Sequence, residues 1–400
     1  MDYPIVRLQE INIFNLKKVR KSDVAFPSYK REEFFSRESD VLAIFGQEGS
    51  GRSSLVNALW ILKNSLLGEP FFDDIEEYIW DDTKYFDIRF TFSIEFEEDR
   101  YLIFYHIYFD KVDGISIKEF ISWKKFVGNE STARRKFKID YSENNVNIFS
   151  ADLKKIEVSS FDNEKFRKII LALKNYARND LNIFRKKITP SILNSNLVKL
   201  IESKDDLFSK NKSVNYLIPY NHPVIVKNDL INNIEGLTYN ISKVLNKEFP
   251  NISVLATETN DLKESKFINL KLISEDKSKS LKNKSKEIKN LISIMIILMP
   301  ITEKASTCVV IDKLEIDKIG DFKYKLAELI NNEAKGQMLI ITNDFKFLNQ
   351  FDERSLIYTT WNPEKRYKKF ERITSIDDTK KFYYRSLYIK DKNKKFKKAH

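Results

Sequence analysis

Apolar positions recur along this chain in two rhythms that predict its elements. Tyr85 to Phe109 and residues 251–274 alternate apolar and polar side chains, the period of half-buried strands. Asn163 to Lys187 places Phe166, Ile169, Ile170, Leu173, Tyr176, Leu181 and Phe184 at helical spacing. Asn228 to Lys247 does the same through Leu230, Ile234, Leu237, Ile241 and Leu245, and Phe322 to Asn331 reads as a further helix. Short unbroken apolar runs at Val41–Phe45, Thr307–Ile311 and Met338–Thr342 predict buried strands. The longest apolar stretch, near Leu291 to Ile301, is about half of what a bilayer-spanning helix needs. The chain opens without a basic-then-apolar leader, so a soluble cytoplasmic protein with no membrane partner is expected.

Composition narrows the chemistry. With 400 residues, 42% apolar and 13% aromatic, the chain is long enough for two or three packed units. A single cysteine, Cys308, excludes an internal disulfide framework and multi-thiolate zinc; His106, His222 and His400 are the only imidazoles. Histidine-centred metal or triad catalysis is therefore not expected. The net charge of +11 is concentrated in two lysine runs, residues 276–289 and 390–398. Solvated lysine accounts for both runs; contact with nucleic acid is the alternative.

Glycine placement points to one site. Only 9 glycines occur, about a third of the usual frequency, and Gly46, Gly49 and Gly51 crowd into six residues. They follow the Val41–Phe45 run and precede an amphipathic stretch, giving the order strand, glycine-rich turn, helix. Gly46, Gly51, Arg52 and Ser53 meet the spacing G-x-x-x-x-G-[basic]-[Ser/Thr] of a P-loop. There, backbone N–H groups and a helix N-terminus converge on phosphate. Gly46, Gln47, Glu48, Gly49, Ser50, Gly51, Arg52, Ser53 and Ser54 are the candidate nucleotide-binding residues, with ATP and Mg²⁺ as the implied ligands. The same residues would also suit a tight strand-to-helix turn with Arg52 solvated. A P-loop further requires a strand-ending carboxylate near Mg²⁺. Asp312 ends its apolar run and is paired with Ser53 as candidate metal holder; Asn343 follows the next strand.

These residues resemble the ABC-type ATP-binding heads of the SMC, RecF and OLD group, particularly the stand-alone AAA-family ATPases of abortive-infection and phage-defence type. The resemblance spans about residues 1–110 and 250–390. It takes in a strand pair from Ile5 to Phe14, the glycine-rich loop, an antiparallel layer at Tyr85 to Phe109, the Asp312 strand and Thr342-Asn343-Asp344. Arg366-Tyr367 and Tyr383-Tyr384-Arg385 are similar to family tail elements. It implies an α/β P-loop NTPase head of ABC type, with an antiparallel β layer and an inserted helical subdomain. The expected division is an N-terminal lobe at 1–150, a helical insertion at 151–250 and a C-terminal lobe with a basic tail at 251–400.

The departures from the family pattern bear on catalysis. Arg52 replaces lysine, Lys313 stands where the family carries the Glu that polarises water, and Asn343 stands in place of the switch His. The signature segment aligns with Asn283–Glu287 and lacks its glycine. Lys313 accepts no proton from water and Asn343 carries no charge, so Asp312, Lys313 and Asn343 form a weakened catalytic set; Glu315 is a possible substitute. The resemblance thus implies an ATP-binding scaffold or sensor in antiphage defence, dimerising through an ATP-sandwich face and serving a separate effector, with weak or absent hydrolysis. The alternatives are an active ATPase driving an effector and a DNA-binding repair ATPase of RecF/SMC type. No nuclease is assigned to this chain.

Overall fold

A computed structural model describes residues 4–47, 49–69, 75–96, 99–111, 116–127, 130–131, 135–140, 163–184, 224–227, 252–262, 265–274, 277–280, 304–312 and 322–369, with scattered positions in 239–246, 294–302 and 381–384. Lys313, Glu48, Glu315, the Asn283–Glu287 segment and the 390–398 run lie outside the described residues.

Two sheets sandwich one helix. The first is antiparallel: β1 (Ile5–Leu16), β2 (Val19–Ala25), β4 (Tyr85–Phe96), β5 (Asp99–Asp110), β6 (Ser116–Val127) and β7 (Glu130–Ser131) run in the order β2-β1-β4-β5-β6-β7, with β8 (Arg135–Asp140) also on β6. The second runs β17-β16-β3-β15-β14-β9, from β3 (Asp40–Phe45), β9 (Leu181–Phe184), β14 (Cys308–Ile311), β15 (Gln337–Thr342), β16 (Leu356–Thr359) and β17 (Tyr367–Lys368). All its pairings are parallel except β16 with β17. Its strands β3, β14, β15 and β16 are buried at every residue, as a parallel sheet covered on both faces requires.

Between the sheets lies α2 (Arg52–Leu67), which follows the short α1 (Pro27–Lys30) in chain order. Its buried residues, Ser54 to Leu59, Ile61, Leu62, Ser65 and Leu66, wrap the helix instead of forming one stripe. That is the pattern of a helix with apolar neighbours on both sides. One core joins α2 to Leu8, Ile88 and Phe90 of the antiparallel sheet and to Leu42, Ile44, Val310 and Leu339 of the parallel one. Helix α3 (Asn163–Asn175) docks on the same core, with Phe166 5.5 Å from Trp123 and Tyr176, just past its end, 6.0 Å from Phe92, ring to ring.

The helix expected from Asn163 to Lys187 is shorter than its apolar spacing suggested. It stops at Asn175, passes through one π turn at Tyr176–Asp180 and gives way to β9, which pairs with β14. Leu181 and Phe184 are therefore strand residues. Phe166, Ile169, Ile170, Leu173, Tyr176 and Leu181 pack into the main core. A third sheet, antiparallel, contains β10 (Val224–Lys227), β11 (Ile252–Leu262), β12 (Ser265–Ser274) and β13 (Lys277–Ser280). It includes the 251–274 strands expected from alternation and the first residues of the 276–289 lysine run. Helices α4 (Phe322–Glu333) and α5 (Phe345–Leu348) flank β15 in sequence.

Candidate functional site

The parallel strands exit at one edge, and the candidate residues sit there. Register places Thr342 beside Phe45 and Tyr358 beside Phe45 on its other side. Ile311 is level with Ile340, which is level with Ala43. The residue after each strand, Gly46, Asn343, Asp312 and Thr360, thus emerges on the same side of the sheet. Asp312 is separated from the glycine loop by β15 alone, about 10 Å laterally at ordinary strand spacing. It is buried, and its N–H donates to Phe184 O of β9 at 2.9 Å. Asn343 is exposed.

From Phe45 the chain turns through the loop into α2. Gly49 and Gly51 both take left-handed conformations, φ +79° and +84°, open to glycine at little cost. Gly51 is the N-cap of α2, and no side chain caps the helix start. The leading N–H groups of α2 are the donors a phosphate would need. Arg52 is half-buried and Ser53 exposed at this same end.

The loop's hydroxyls are engaged within the fold. Ser50 Oγ donates to Gln47 O at 2.6 Å and lies 2.5 Å from Thr359 Oγ1, which itself contacts Phe45 O at 3.3 Å. Ser54 Oγ accepts from Lys18 N–H in the β1–β2 turn at 3.3 Å. Gln47 N–H donates to the Tyr383 hydroxyl at 3.0 Å, and Tyr383 packs in the Phe45–Tyr358 aromatic group with ring centroids at 4.7 and 5.9 Å. Burial pushes the Tyr383 hydroxyl above its ordinary pKa, so it stays protonated. What remains for an anion is the main chain from Gly49 onward, the first turn of α2, and the Arg52 and Ser53 side chains that turn carries.

A second set of residues, absent from the sequence reading as site residues, grips the loop from outside. Tyr367 on β17 donates its hydroxyl to Gly51 O at 2.7 Å. Burial raises its pKa far above the ordinary value, opposed by a Leu55 N–H and by Arg366, and reinforced by the Asp312 carboxylate. Tyr367 thereby ties β17 to the glycine loop that follows β3. Arg366 lies against Gly51, where an added Cβ would meet its Cδ at 3.0 Å and Nε at 3.1 Å. The Trp361 ring covers Gly49 at 3.5 Å from such a Cβ and is itself exposed. The signal available in sequence was the resemblance of Arg366-Tyr367 and Tyr383-Tyr384 to family tail elements.

Among the described residues, no group of three or more His, Cys, Asp or Glu side chains is arranged to hold a metal ion, and no helix is long and apolar enough to cross a membrane. Ser53 is in the first turn of α2, and Asp312 follows β14, with β15 between that strand and β3.

No protein-family model and no curated protein matches the chain. Solved structures of loosely similar outline include an Smc head domain with an extended coiled coil bound to the C-terminal domain of ScpA, from Pyrococcus furiosus, at 14% identity and TM-score 0.46 over 95% of this chain and 99% of that one. The SMC head domain from Thermotoga maritima is 12% identical at TM-score 0.43, over 92% and 100%. The recombination mediator protein RecF bound to ATP is 15% identical at TM-score 0.37, over 86% and 93%.

Proposed function

We propose that this chain is a nucleoside-triphosphate-binding head. ATP would lie on the amides of Gly49 to Ser53, with Mg²⁺ held by Ser53 and Asp312 and by phosphate oxygens. The observation that carries this reading is the uncapped start of α2, entered through two left-handed glycines at the edge where Asp312 also emerges. Mg²⁺, when bound, would neutralise phosphate charge. Arg52 grips phosphate as a planar fork, and Tyr367 holds the Gly51 carbonyl through its hydroxyl.

Turnover is a separate matter. With Lys313 in the place of a water-polarising carboxylate and the uncharged Asn343 exposed on the neighbouring strand, the head binds nucleotide and hydrolyses it slowly or not at all. It thereby acts as a nucleotide-dependent scaffold or sensor, paired with a second copy across the bound nucleotide and with a separate effector in antiphage defence. A phosphate-release assay on purified protein separates this from an active ATPase. The scaffold reading predicts release at background level, unchanged in Asp312→Ala; an active ATPase predicts release that Ser53→Ala and Asp312→Ala both abolish.

The second reading is a DNA-binding repair ATPase of RecF/SMC type. It has the lysine-rich segments 276–289 and 390–398 as candidate contacts. It predicts duplex binding that weakens steeply as salt rises and falls further when 390–398 are deleted. Salt-insensitive or absent binding removes it.

A further inference from the structure

We propose that Arg366 is the built-in counter-charge of the glycine loop, a positioning residue whose guanidinium is buried against Gly51 to balance a bound polyphosphate. The proposal rests on the nucleotide reading above and adds to it the residue that sets the charge the site prefers.

Arg366 is 4% exposed. Its Nε and Nη2 donate to Lys18 O in the β1–β2 turn, and its Nη1 donates to Thr360 O at 2.6 Å. All of these acceptors are neutral carbonyls. Among the described residues no carboxylate forms an ion pair with it. Arg7 offers the comparison inside the same protein. It is 1% exposed, likewise spreads its donors over backbone carbonyls, and has the Asp40 carboxylate 3.7 Å away.

A buried guanidinium with no carboxylate facing it is costly, because it gives up hydration without an opposite charge. Carbonyl dipoles return only part of that loss. Desolvation does depress the Arg366 pKa, opposed only by Tyr367, and an arginine still keeps its proton. The charge therefore persists, and its position explains it. The side chain runs along Gly51 so closely that a Cβ there would meet Cγ, Cδ and Nε within 3.2 Å. Gly51 is the residue whose left-handed turn opens the α2 N-terminus. An anion seated on those amides would lie beside the guanidinium in a partly dry setting where charge is weakly screened. The missing counter-ion is then the ligand, and the chemical class is a polyanion instead of a neutral base or sugar.

The test is a calorimetric titration of ATP and of ADP into the full chain, the Arg366→Gln variant and the Arg366→Lys variant. Glutamine keeps one amide donor and removes the charge; lysine keeps the charge and loses the fork. The expected result is a loss of roughly tenfold in ATP affinity for Arg366→Gln, smaller for ADP, and Arg366→Lys within about threefold of the parent for both. Equal losses for ATP and ADP in both variants would mean that Arg366 only shapes the loop, and would overturn the charge assignment. Parent-like affinity in Arg366→Gln overturns it as well, while leaving the nucleotide reading intact. Absence of ATP binding by the unaltered chain removes the nucleotide reading, and this inference with it. Should Arg366→Gln fail to fold, Arg366→Lys decides alone: retained ATP affinity supports the counter-charge, and a tenfold loss contradicts it.

Discussion

Gly46 is held to glycine by a neighbour and not by its own backbone angles. A Cβ there would sit 1.7 Å from Thr359 Oγ1 and 2.8 Å from Ser50 Oγ. Gly46→Ala must push β16 away from β3 or break the Ser50–Thr359 contact. A destabilisation of about 1–3 kcal/mol is expected in urea unfolding, part of which the double variant with Thr359→Ala recovers. A Gly46→Ala protein as stable as the parent would mean that the loop and β16 are not in contact. Cys308 offers a second single-residue test. It is fully buried in β14, and burial pushes its thiol up to about 12. Raised folded pKa keeps the thiol protonated through pH 9, so thiolate reagents are expected to label it only at the rate of global opening. Labelling of native protein as fast as free cysteine would contradict the burial of β14. At this scale the sequence showed the glycines and the strand-ending Asp312, because their spacing is local. It did not show Thr359, Tyr383, Arg366 and Tyr367 as partners of the loop. They lie more than 300 residues downstream, and only the folded chain brings them to it.

Among elements, the splice between the two sheets is made by polar groups. Gln337 at the start of β15 accepts from Leu8 N–H at 2.7 Å and donates to Leu8 O at 2.6 Å, reproducing in one side chain the bonds of a strand partner. It also reaches Asp40, which accepts from Ser28 N–H and its hydroxyl. Gln337→Leu is nearly the same size and would leave both Leu8 groups unpaired in a buried site. A loss of about 2–4 kcal/mol is expected by equilibrium unfolding; a loss under about 0.5 kcal/mol would show that the splice carries no stability. The period of apolar residues made β3, β14, β15 and α4 legible, since each is a run or stripe bounded by turn residues. It failed at β9. Leu181 and Phe184 continue the helical spacing of α3, and a four-residue strand has too few positions to betray its own period. Buried charge was also illegible. Arg7 and Asp40 look like surface residues in a hydropathy pattern, and only the sandwich of sheets encloses them.

The whole molecule is arranged so that one helix, α2, carries both the core and the site. Its body joins the sheets and its first turn opens at their common edge, so packing defects in the body should disturb the loop. Leu59→Ala, at a fully buried position, is expected to cost about 2–5 kcal/mol and to lower the denaturation midpoint without changing its slope. An unaltered midpoint would place Leu59 outside the core. The central claim is that main-chain amides between Gly49 and Ser53 hold a polyphosphate. The most direct measurement is calorimetry of Mg·ATP against the full chain and against Gly51→Ala, whose new methyl would both strain a φ of +84° and meet Arg366. Saturable binding by the parent and none by a folded Gly51→Ala is the predicted result. No saturable heat from the parent, or equal affinity in the variant, would contradict it.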